Sequence, residues 1–248
     1  MDVLVRAEGL TLAHGDDVVQ RDLNFDIRRA EVLAVVGASG CGKSTLLRHL
    51  IGLQAPALGR VMYGEHDLYA CNDAVLAELR RQFGVMFQAG ALWSAMTVGE
   101  NLMLPMRLYT ALNRRAREQR ARFKLALVGL GDCFDVLPAD LSGGMKKRAA
   151  IARALALDPA LLYLDEPSSG LDPINAGRLD ALILALRRHL GTTVVMVTHT
   201  LDSVFAVADR VMFLDVREKT MTALDAPRTL LLHGPERVRE FLHRAPST

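Results

Sequence analysis

The stretch "VLAVVGASGCGKST" at residues 32–45 joins an apolar run to a glycine-rich segment that ends in Lys-Ser-Thr. A continuous apolar run that stops at a glycine is typical of a β-strand buried on both faces. The segment from Gly37 to Thr45 fits the pattern G-x-x-x-x-G-K-[ST], in which a loop joins such a strand to a helix. The stretch therefore predicts an α/β fold with a phosphate-binding loop.

The chemistry of this loop follows from its residue types. Glycines allow the backbone to turn so that successive N–H groups point at one phosphate chain. Lys43 adds a positive charge, Ser44 offers a hydroxyl to Mg²⁺, and the following helix presents the positive end of its dipole. The residues predicted to contact the nucleotide are Gly37, Ala38, Ser39, Gly40, Cys41, Gly42, Lys43, Ser44 and Thr45.

Three further apolar runs, "LLYLDE" at 161–166, "TVVMVTH" at 193–199 and "RVMFLD" at 210–215, predict a mainly parallel sheet. Helical patterns lie between the runs, at 43–53, 145–157, 174–190 and 201–208, as in an α/β fold. Shorter apolar stretches at 3–29 predict antiparallel strands at the edge of this sheet. Residues 89–140 lack a buried-strand pattern and predict a mainly helical insertion.

Two features describe this insertion. "TVGE" at 97–100 is a capping box, so a helix should begin there and run towards Pro105. The stretch "NRRAREQRARFKLALVGL" at 113–130 is strongly basic. A solvated face and a contact with anionic lipid headgroups are both compatible with that pattern.

The run "LLYLDEP" places two carboxylates at the carboxyl end of a predicted strand, the edge where open α/β sheets bind ligands. We expect Asp165 to hold Mg²⁺, directly or through water, and Glu166 to polarise a water for attack on the γ-phosphorus. Asp-Glu-Pro also ends strands in simple turns. The phosphate loop in the same chain favours the catalytic role.

Length and composition limit which classes of protein are possible. The 248 residues fit one large domain, or a domain with a subdomain, and the apolar half of the chain can form a substantial core. Three cysteines without metal-like spacing, Cys41, Cys71 and Cys133, indicate a reducing compartment, so we expect a cytoplasmic protein. A net charge of +2 argues against nucleic-acid binding. No apolar run reaches the roughly 18 residues of a membrane span, so membrane contact should pass through a partner.

The stretch "LSGGM" at 141–145 predicts a second anion site. Ser142 is a favoured N-cap, and Gly143 and Gly144 leave N–H groups bare at the positive end of a helix. The cations in the predicted first turn are Lys146, Lys147 and Arg148. Because the dipole disfavours cations there, two explanations stay open: a nearby anion, or simple solvation.

Taken in order, the motifs resemble those of the nucleotide-binding subunit of ATP-binding cassette (ABC) transporters, over about residues 3–242. "GASGCGKST" resembles Walker A, "LSGGM" the signature and "LLYLDE" Walker B. "VMFQ" at 85–88, "SGLDP" at 169–173 and "VTHT" at 197–200 resemble the Q-loop, D-loop and switch. The resemblance implies a P-loop ATPase fold with a mainly parallel sheet, an antiparallel β edge and a helical subdomain. The implied divisions are a RecA-like core at about 1–88 and 160–225, a helical subdomain at about 89–159 and a tail at about 226–248.

The resemblance also implies roles for single residues. Gln88 would contact Mg²⁺ or the attacking water, so the implied metal set is Ser44, Gln88 and Asp165. His199 would bind the γ-phosphate. Asp172 would contact a second subunit, and a helix-capping role is compatible with that contact. The signature would serve the ATP of the neighbouring subunit, which implies a dimer that closes on two MgATP.

The stretches "FQAGALWSAMTVGENLMLPMR" at 87–107 and "GPERVREFL" at 234–242 resemble one branch, the ATPases of the Mla and toluene-tolerance type lipid transporters. Met145 is common in that branch. The branch implies a polytopic permease, a substrate-binding protein of the mammalian-cell-entry (MCE) type, phospholipid movement between two membranes, and an ATPase peripheral on the inner membrane. His14 stands where the family usually has an aromatic residue and is the candidate adenine contact, which puts stacking on adenine in question. Thr200 replaces the usual Asp after the switch histidine.

Two other functions stay open: a non-transport ABC ATPase that acts as a regulator or assembly scaffold, and the ATPase of an ABC transporter with another substrate. Residues 89–112 discriminate between transport and non-transport roles, because a permease helix needs a groove there. Their apolar content exceeds what a free surface needs, although core packing explains part of it. A chromosome-maintenance ATPase would need a long coiled coil, and the roughly 120 residues between Lys43 and Asp165 show no heptads.

Overall fold

Two long strands open the chain, and strands and helices then follow one another to its end. The computed structural model describes residues 2–15 and 17–243. The strands are β1 (Val3–His14), β2 (Asp17–Arg28), β3 (Val32–Val36), β4 (Leu58–Tyr63), β5 (His66–Asp67), β6 (Phe83–Met86), β7 (Leu161–Asp165), β8 (Thr193–Val197), β9 (Arg210–Asp215) and β10 (Thr220–Asp225). The helices are α1 (Lys43–Leu50), α2 (Asp73–Leu79), α3 (Val98–Tyr109), α4 (Arg114–Leu127), α5 (Gly143–Ala154), α6 (Pro173–Leu190), α7 (Leu201–Val207), α8 (Pro227–His233) and α9 (Glu236–Leu242). Within the described ranges, no helix has both the length and the apolar character to cross a membrane.

The predicted parallel sheet is confirmed. Its strand order is β10-β9-β3-β8-β7-β6, and all of these strands except β10 run parallel. Every residue of β3, β7 and β8 is buried, as expected for strands covered on both faces. The carboxyl ends of β3, β6, β7 and β8 lie along one edge. This edge therefore carries the phosphate loop, Gln88, the two carboxylates and His199.

The antiparallel strands predicted over residues 3–29 are confirmed, but they do not lie at the edge of the parallel sheet. Strands β1 and β2 pair with β4 and β5 in a separate antiparallel sheet of order β2-β1-β4-β5. Each of the two long strands has one apolar face, which includes the fully buried Leu10, Leu12 and Leu23. That face packs on α1 and on Leu33 and Val35 of β3. A strand with one apolar face buries it by covering another layer, and lateral pairing at the sheet edge would leave it exposed.

The antiparallel edge of the main sheet is instead β10. Its turn from β9 lacks a glycine, and Lys219 adopts the left-handed conformation there, with φ 52°. Asp215 Oδ1 accepts hydrogen bonds from the backbone N–H groups of Arg217 (2.7 Å) and Glu218 (3.1 Å). The carboxylate thus fixes a turn that a glycine usually makes.

Apolar residues on the two faces of the parallel sheet form two cores. Val32, Ala34 and Val36 belong to the core shared with helices α3 to α7, whereas Leu33 and Val35 face α1 and the antiparallel sheet. The alternation along β3 follows the two-residue period of a strand. Because α3, α4 and α5 pack into the first core, the helical segment and the sheet are not separated by a polar boundary. The division at about 89–159 stays a prediction.

Helix α3 begins at the predicted capping box and runs further than expected. Thr97 Oγ1 accepts from the Glu100 N–H (3.2 Å), and Glu100 Oε2 accepts from the Thr97 N–H (2.8 Å). The helix continues through Pro105 to Tyr109. An interior proline costs about 3 kcal/mol, and burial of Met106 in the following turn offsets that cost.

Most cations of α4 are engaged within the chain, so this helix does not present a free basic stripe. Arg114 pairs with Glu118 at 2.9 Å, and Arg117 donates to the Leu112 carbonyl at 2.9 Å. The remaining pairs join Arg120 and Lys124 to Asp158, and Arg122 to Asp135. The side chains of Arg114, Arg120 and Arg122 are at least half exposed all the same, as both a solvated face and a lipid contact require.

The predicted tail at 226–248 packs on the main sheet as far as it is described. Helices α8 and α9 occupy most of residues 226–243, and residues 244–248 lie outside the described ranges. The Phe241 ring meets Phe213 of β9 edge-on, with centroids 5.3 Å apart. Arg237 pairs with Asp215 at 3.1 Å. The α8–α9 segment is therefore part of the same body as the sheet.

Candidate nucleotide site

The glycine-rich loop joins β3 to α1 at the carboxyl edge of the parallel sheet. Gly40 (φ 77°) and Gly42 (φ 99°) adopt left-handed conformations that side chains disfavour. A β-carbon on Gly42 would lie 2.6 Å from Val19 Cγ1, so the loop packs directly on β2. Gly42 is also the N-cap of α1, and no side chain caps this helix. The first N–H groups of α1 are therefore open to a ligand.

Two side chains at the start of α1 face the loop and the neighbouring strand. Lys43 Nζ donates to the carbonyls of Gly37 (2.9 Å) and Ala38 (3.1 Å). Ser44 Oγ donates to Asp165 Oδ1 at 3.2 Å, and this bond joins the start of α1 to the end of β7. The cation and the hydroxyl thus lie at the same edge as the Walker-type carboxylate.

A cavity of about 540 Å³ collects most of the predicted site residues. Its lining residues are His14, Val19, Ser39, Gly40, Gly42, Lys43, Ser44, Thr45, Gln88, Glu166 and His199. Asp165 joins the site through its contact with Ser44. Within the described residues, Ser142, Gly143, Gly144 and Asp172 do not line this cavity. The structure therefore separates the second predicted anion site from the first.

Glu166 and His199 contact each other at the carboxyl edge of the parallel sheet. His199 Nδ1 lies 2.8 Å from Glu166 Oε1. The Glu166 backbone is left-handed (φ 50°), and its N–H donates to the Val197 carbonyl of β8 at 2.8 Å. Glu166 Oε2 is buried and has no hydrogen-bond partner among the described residues. This oxygen is closed to solvent in the structure and is an unsatisfied acceptor.

Asp165 and Ser44 provide oxygen ligands suitable for a divalent cation. Burial raises the pKa of the Asp165 carboxyl, while the Ser44 hydrogen bond acts in the opposite direction. A bound cation would favour the charged carboxylate and offset the burial. No group of three His, Cys, Asp or Glu side chains within the described ranges could hold a metal alone. This donor set fits Mg²⁺, which commonly takes one or two protein carboxylates together with phosphate oxygens and water.

His14 occupies the rim of the cavity with an exposed ring. Its Nε2 lies 3.4 Å from Thr45 Oγ1, and its Nδ1 lies 3.4 Å from Gln54 Nε2. Gln54 Nε2 also donates to the Ala13 carbonyl at 3.0 Å. Both edges of the ring therefore have polar neighbours, and its role towards adenine stays a prediction.

The signature and the D-loop lie next to each other, away from this cavity. Ser142 Oγ accepts from the Met145 N–H at 3.3 Å, which confirms it as the N-cap of α5. Asp172 caps α6 by accepting from the Asn175 N–H at 3.0 Å. A β-carbon on Gly144 would lie 3.4 Å from the Asn175 side chain. The two helix starts therefore share one surface.

Of the cations after the signature, Lys146 is solvated, as one of the two explanations predicts, whereas Lys147 and Arg148 donate to carbonyls within the chain. Helix α5 begins at Gly143, so Lys147 and Arg148 lie in its second turn. Arg148 donates to the carbonyls of Val128 (3.0 Å) and Gly129 (3.3 Å). Lys147 Nζ also donates to backbone carbonyls. Lys146 is exposed.

Gln20, which the sequence did not indicate as a site residue, supports the phosphate loop from the antiparallel sheet. Gln20 of β2 is fully buried, and its Nε2 donates to the carbonyls of Cys41 (2.7 Å) and Asp215 (3.1 Å). Its only sequence signal is a polar residue at an inward position of an amphipathic strand. Gln20 thus ties the loop to the end of β9.

Replacing Gln20 with methionine should lower the free energy of unfolding by about 1–2 kcal/mol, because two buried carbonyls lose their donor, while removal of the buried and unpartnered Gln20 Oε1 offsets part of that loss. Urea denaturation monitored by circular dichroism measures this change. The matched control is Gln119→Met, the same chemical change at an exposed position of α4. Equal stability of the two variants would contradict the supporting role of Gln20.

Comparison with known proteins agrees with this arrangement. The family model described as "ABC transporter" matches residues 20–169. The chain belongs to the ABC transporter family. Over 96% of its length it is 35% identical to the "Intermembrane phospholipid transport system ATP-binding protein MlaF" of Haemophilus influenzae, covering 90% of that protein. It is 38% identical over 98% of its length to the "Probable ribonucleotide transport ATP-binding protein mkl" of Mycobacterium leprae, covering 70% of that protein.

Solved ABC cassettes share the fold. A dimeric bacterial ABC transporter cassette, MJ0796, aligns with a TM-score of 0.81 and 28% identity over 90% of this chain and 98% of the cassette. The same cassette in a post-hydrolysis dimer bound to ADP and Pi aligns with a TM-score of 0.80 and 29% identity, with the same coverage. The family and this neighbour identify the chain as an ATP-binding, ATP-hydrolysing ABC subunit.

Proposed function

We propose that this ABC subunit hydrolyses ATP in the cavity between His14 and His199, with Glu166 as the general base. One observation carries this assignment: Glu166 Oε2 is buried without a partner while His199 contacts Oε1. A buried carboxylate oxygen without a donor costs free energy, and an attacking water would supply the missing hydrogen bond once the carboxylate turns towards the cavity that Glu166 lines. The imidazole then orients the carboxylate and lies close to the position of the γ-phosphate.

The phosphate chain would lie over the loop. The open N–H groups at the start of α1 would bind the phosphates, as the dipole of the helix favours. Lys43 would exchange its contacts with the Gly37 and Ala38 carbonyls for the β- and γ-phosphates. Because those carbonyls lie within the same loop, the ammonium group needs only a short movement.

Mg²⁺ would be held by Ser44 and Asp165, with Gln88 close to it. When bound, the ion neutralises charge on the β- and γ-phosphate oxygens. Gln88 lies two residues after the end of β6 and lines the cavity, so its amide also lies near the expected position of the attacking water. These assignments make Ser44, Gln88 and Asp165 the proposed metal set.

Two subunits would close head to tail, so that the signature of one faces the Walker A loop of the other. The N-terminus of α5 lies outside the cavity of its own subunit and has bare glycine N–H groups. A second anion site on a chain that binds one nucleotide has a function if it serves the neighbour's ATP. Asp172 and Asn175 lie beside it and would join the same interface.

Replacing Ser142 with aspartate should reduce ATP turnover at least about 10-fold, because it places a negative charge against the neighbour's phosphates. Aspartate keeps the helix cap, so α5 should remain folded. Ser142→Asn, which also caps but is neutral, is the matched control. Steady-state hydrolysis and the affinity of the monomer for a fluorescent ATP analogue are measured together. A collapse of monomer affinity would place the signature in its own subunit's site.

A permease helix would bind along α3. Leu102 and Met106 are fully buried, which confirms that core packing explains part of the apolar content of this segment. Trp93 and Leu108, in contrast, are more than half exposed and border a groove of about 280 Å³ beside α3. A surface of this kind is expected where a partner binds, and it favours transport over a scaffold role.

We propose phospholipid as the substrate, because a phospholipid-transport ATPase is 35% identical over nearly the whole of both chains. An MCE-type substrate-binding protein would complete the complex. The second candidate is ribonucleotide transport, favoured by the 38% identity with mkl, of which the chain covers 70%. The subunit itself would lie in the cytoplasm, peripheral on the inner membrane through the permease.

Purification of the tagged full chain with its membrane partners tests this proposal. Mass spectrometry should find a polytopic permease, an MCE-type protein and bound phospholipid. In vesicles, phospholipid composition should change the ATPase rate, whereas added ribonucleotide monophosphates should not. Stimulation by ribonucleotides with no bound lipid would favour the second candidate. An active ATPase that copurifies with no membrane protein would favour the regulator or scaffold role.

A further inference from the structure

Lys147 of α5 reaches two backbone carbonyls in the catalytic half of its own subunit. Its Nζ donates to the Gln88 carbonyl at 2.6 Å and to the Glu166 carbonyl at 3.1 Å. These residues follow β6 and β7, which are adjacent parallel strands with Met86 opposite Leu164. One ammonium group therefore joins the start of α5 to the ends of two neighbouring strands.

The contact at Glu166 acts on an unusual backbone. A left-handed φ of 50° in a residue other than glycine is uncommon and is kept only where surrounding contacts determine it. The Glu166 N–H donates to the Val197 carbonyl, and the Glu166 carbonyl accepts from Lys147 Nζ (3.1 Å) and from the Ser169 N–H (3.3 Å). Hydrogen bonds thus hold both the N–H and the carbonyl of Glu166. The direction of its carboxylate towards His199 depends on these bonds.

Helix stability does not explain a lysine at this position. Burial lowers the pKa of the Lys147 ammonium group, and the nearby Glu166 and Asp165 act in the opposite direction. The side chain therefore gives up part of its hydration to reach the two carbonyls. Lys146, one residue earlier, stays exposed at no such cost.

We infer that Lys147 is a positioning residue, which holds Glu166 and Gln88 in a fixed place relative to the signature helix of the same subunit. The inference rests on the proposed function and adds a connection between the signature helix and the catalytic residues of the same subunit. When the N-terminus of α5 binds the neighbour's nucleotide, the same helix keeps the base and the Q-loop of its own site in place. Lys147 itself does not touch the nucleotide, since it does not line the cavity.

The test is Lys147→Met in the full chain, which keeps the length of the side chain and removes its donors. We expect kcat for ATP hydrolysis to fall about 10-fold, the effect of losing a hydrogen bond to a charged group. Nucleotide affinity should stay within twofold. Lys147→Arg, which keeps the charge and the donors, should recover most of kcat. Lys219→Met, the same change at an exposed position of the β9–β10 turn, is the matched control and should change neither quantity.

Three outcomes would overturn the inference: wild-type kcat in Lys147→Met, an equal loss of nucleotide affinity, or no recovery in Lys147→Arg. Should Lys147→Met fail to fold, Lys147→Gln, with a shorter neutral donor, gives the same separation of kcat from affinity. A double variant with Glu166→Gln adds a second check, because Lys147→Met should cause little further loss once the base is absent. Failure of the proposed function is separate, since it appears as rapid hydrolysis by Glu166→Gln alone.

Discussion

Glu166→Gln is expected to reduce ATP turnover by about 10²-fold or more, because the amide cannot accept the proton of the attacking water. Glutamine has the same shape as glutamate and can still contact His199, now 2.8 Å from Oε1. ATP binding should therefore remain. The variant should accumulate as an ATP-bound dimer, since the step that reopens the two subunits is blocked.

Two measurements check this prediction. A coupled assay gives the turnover rate, and light scattering during size-exclusion chromatography with MgATP gives the mass of the complex. Glu65→Gln, at an exposed position of the β4–β5 turn, is the matched control and should behave as the wild type. Rapid hydrolysis by Glu166→Gln would falsify the base assignment.

The second large effect is expected from Lys43→Met, which removes the cation from the phosphate loop while it keeps the length of the side chain. Each hydrogen bond to a charged group contributes about 1.5–3 kcal/mol, so ATP affinity should fall about 10- to 100-fold. Hydrolysis should fall further, because Lys43 would also offset the negative charge that develops on the leaving β-phosphate side as the bond to the γ-phosphorus breaks. The fold should survive, since the contacts of Lys43 with Gly37 and Ala38 lie within one loop.

Isothermal titration calorimetry with ATP and Mg²⁺ measures the affinity of both proteins. Lys219→Met removes one positive charge at an exposed position of the β9–β10 turn and controls for the change in net charge. An unchanged dissociation constant in Lys43→Met would show that the nucleotide does not bind over this loop.

The sequence predicted the chemical groups of the site better than the contacts between those groups and the rest of the chain. The run at 32–45 alone placed a strand, a glycine loop and a helix in order, and all three are present. The ends of the apolar runs also located Asp165, Glu166 and His199 at one edge of the sheet. This succeeded because carboxyl ends of parallel strands lie together, so residues far apart in sequence can be assigned to one edge.

Other features left no readable signal. Gln20 and Lys147 donate to backbone carbonyls, and because every residue has a carbonyl, the partner of a buried donor cannot be read from residue type. The position of β1 and β2 also failed, since an alternating pattern shows that one face is buried but not which layer covers it. Pro105 did not end α3, because tertiary packing of Met106 outweighed the local preference.

By itself, the sequence determined the class of fold, the phosphate loop, the two carboxylates and the caps at Thr97, Ser142 and Asp172. Each depends on residues close together in the chain, where spacing fixes geometry. Only the tertiary structure decided the separate antiparallel sheet, the Glu166–His199 contact and the link from Lys147 to two strands. These depend on distances between segments, which are set by how apolar layers pack and not by the order of residues within any one of them.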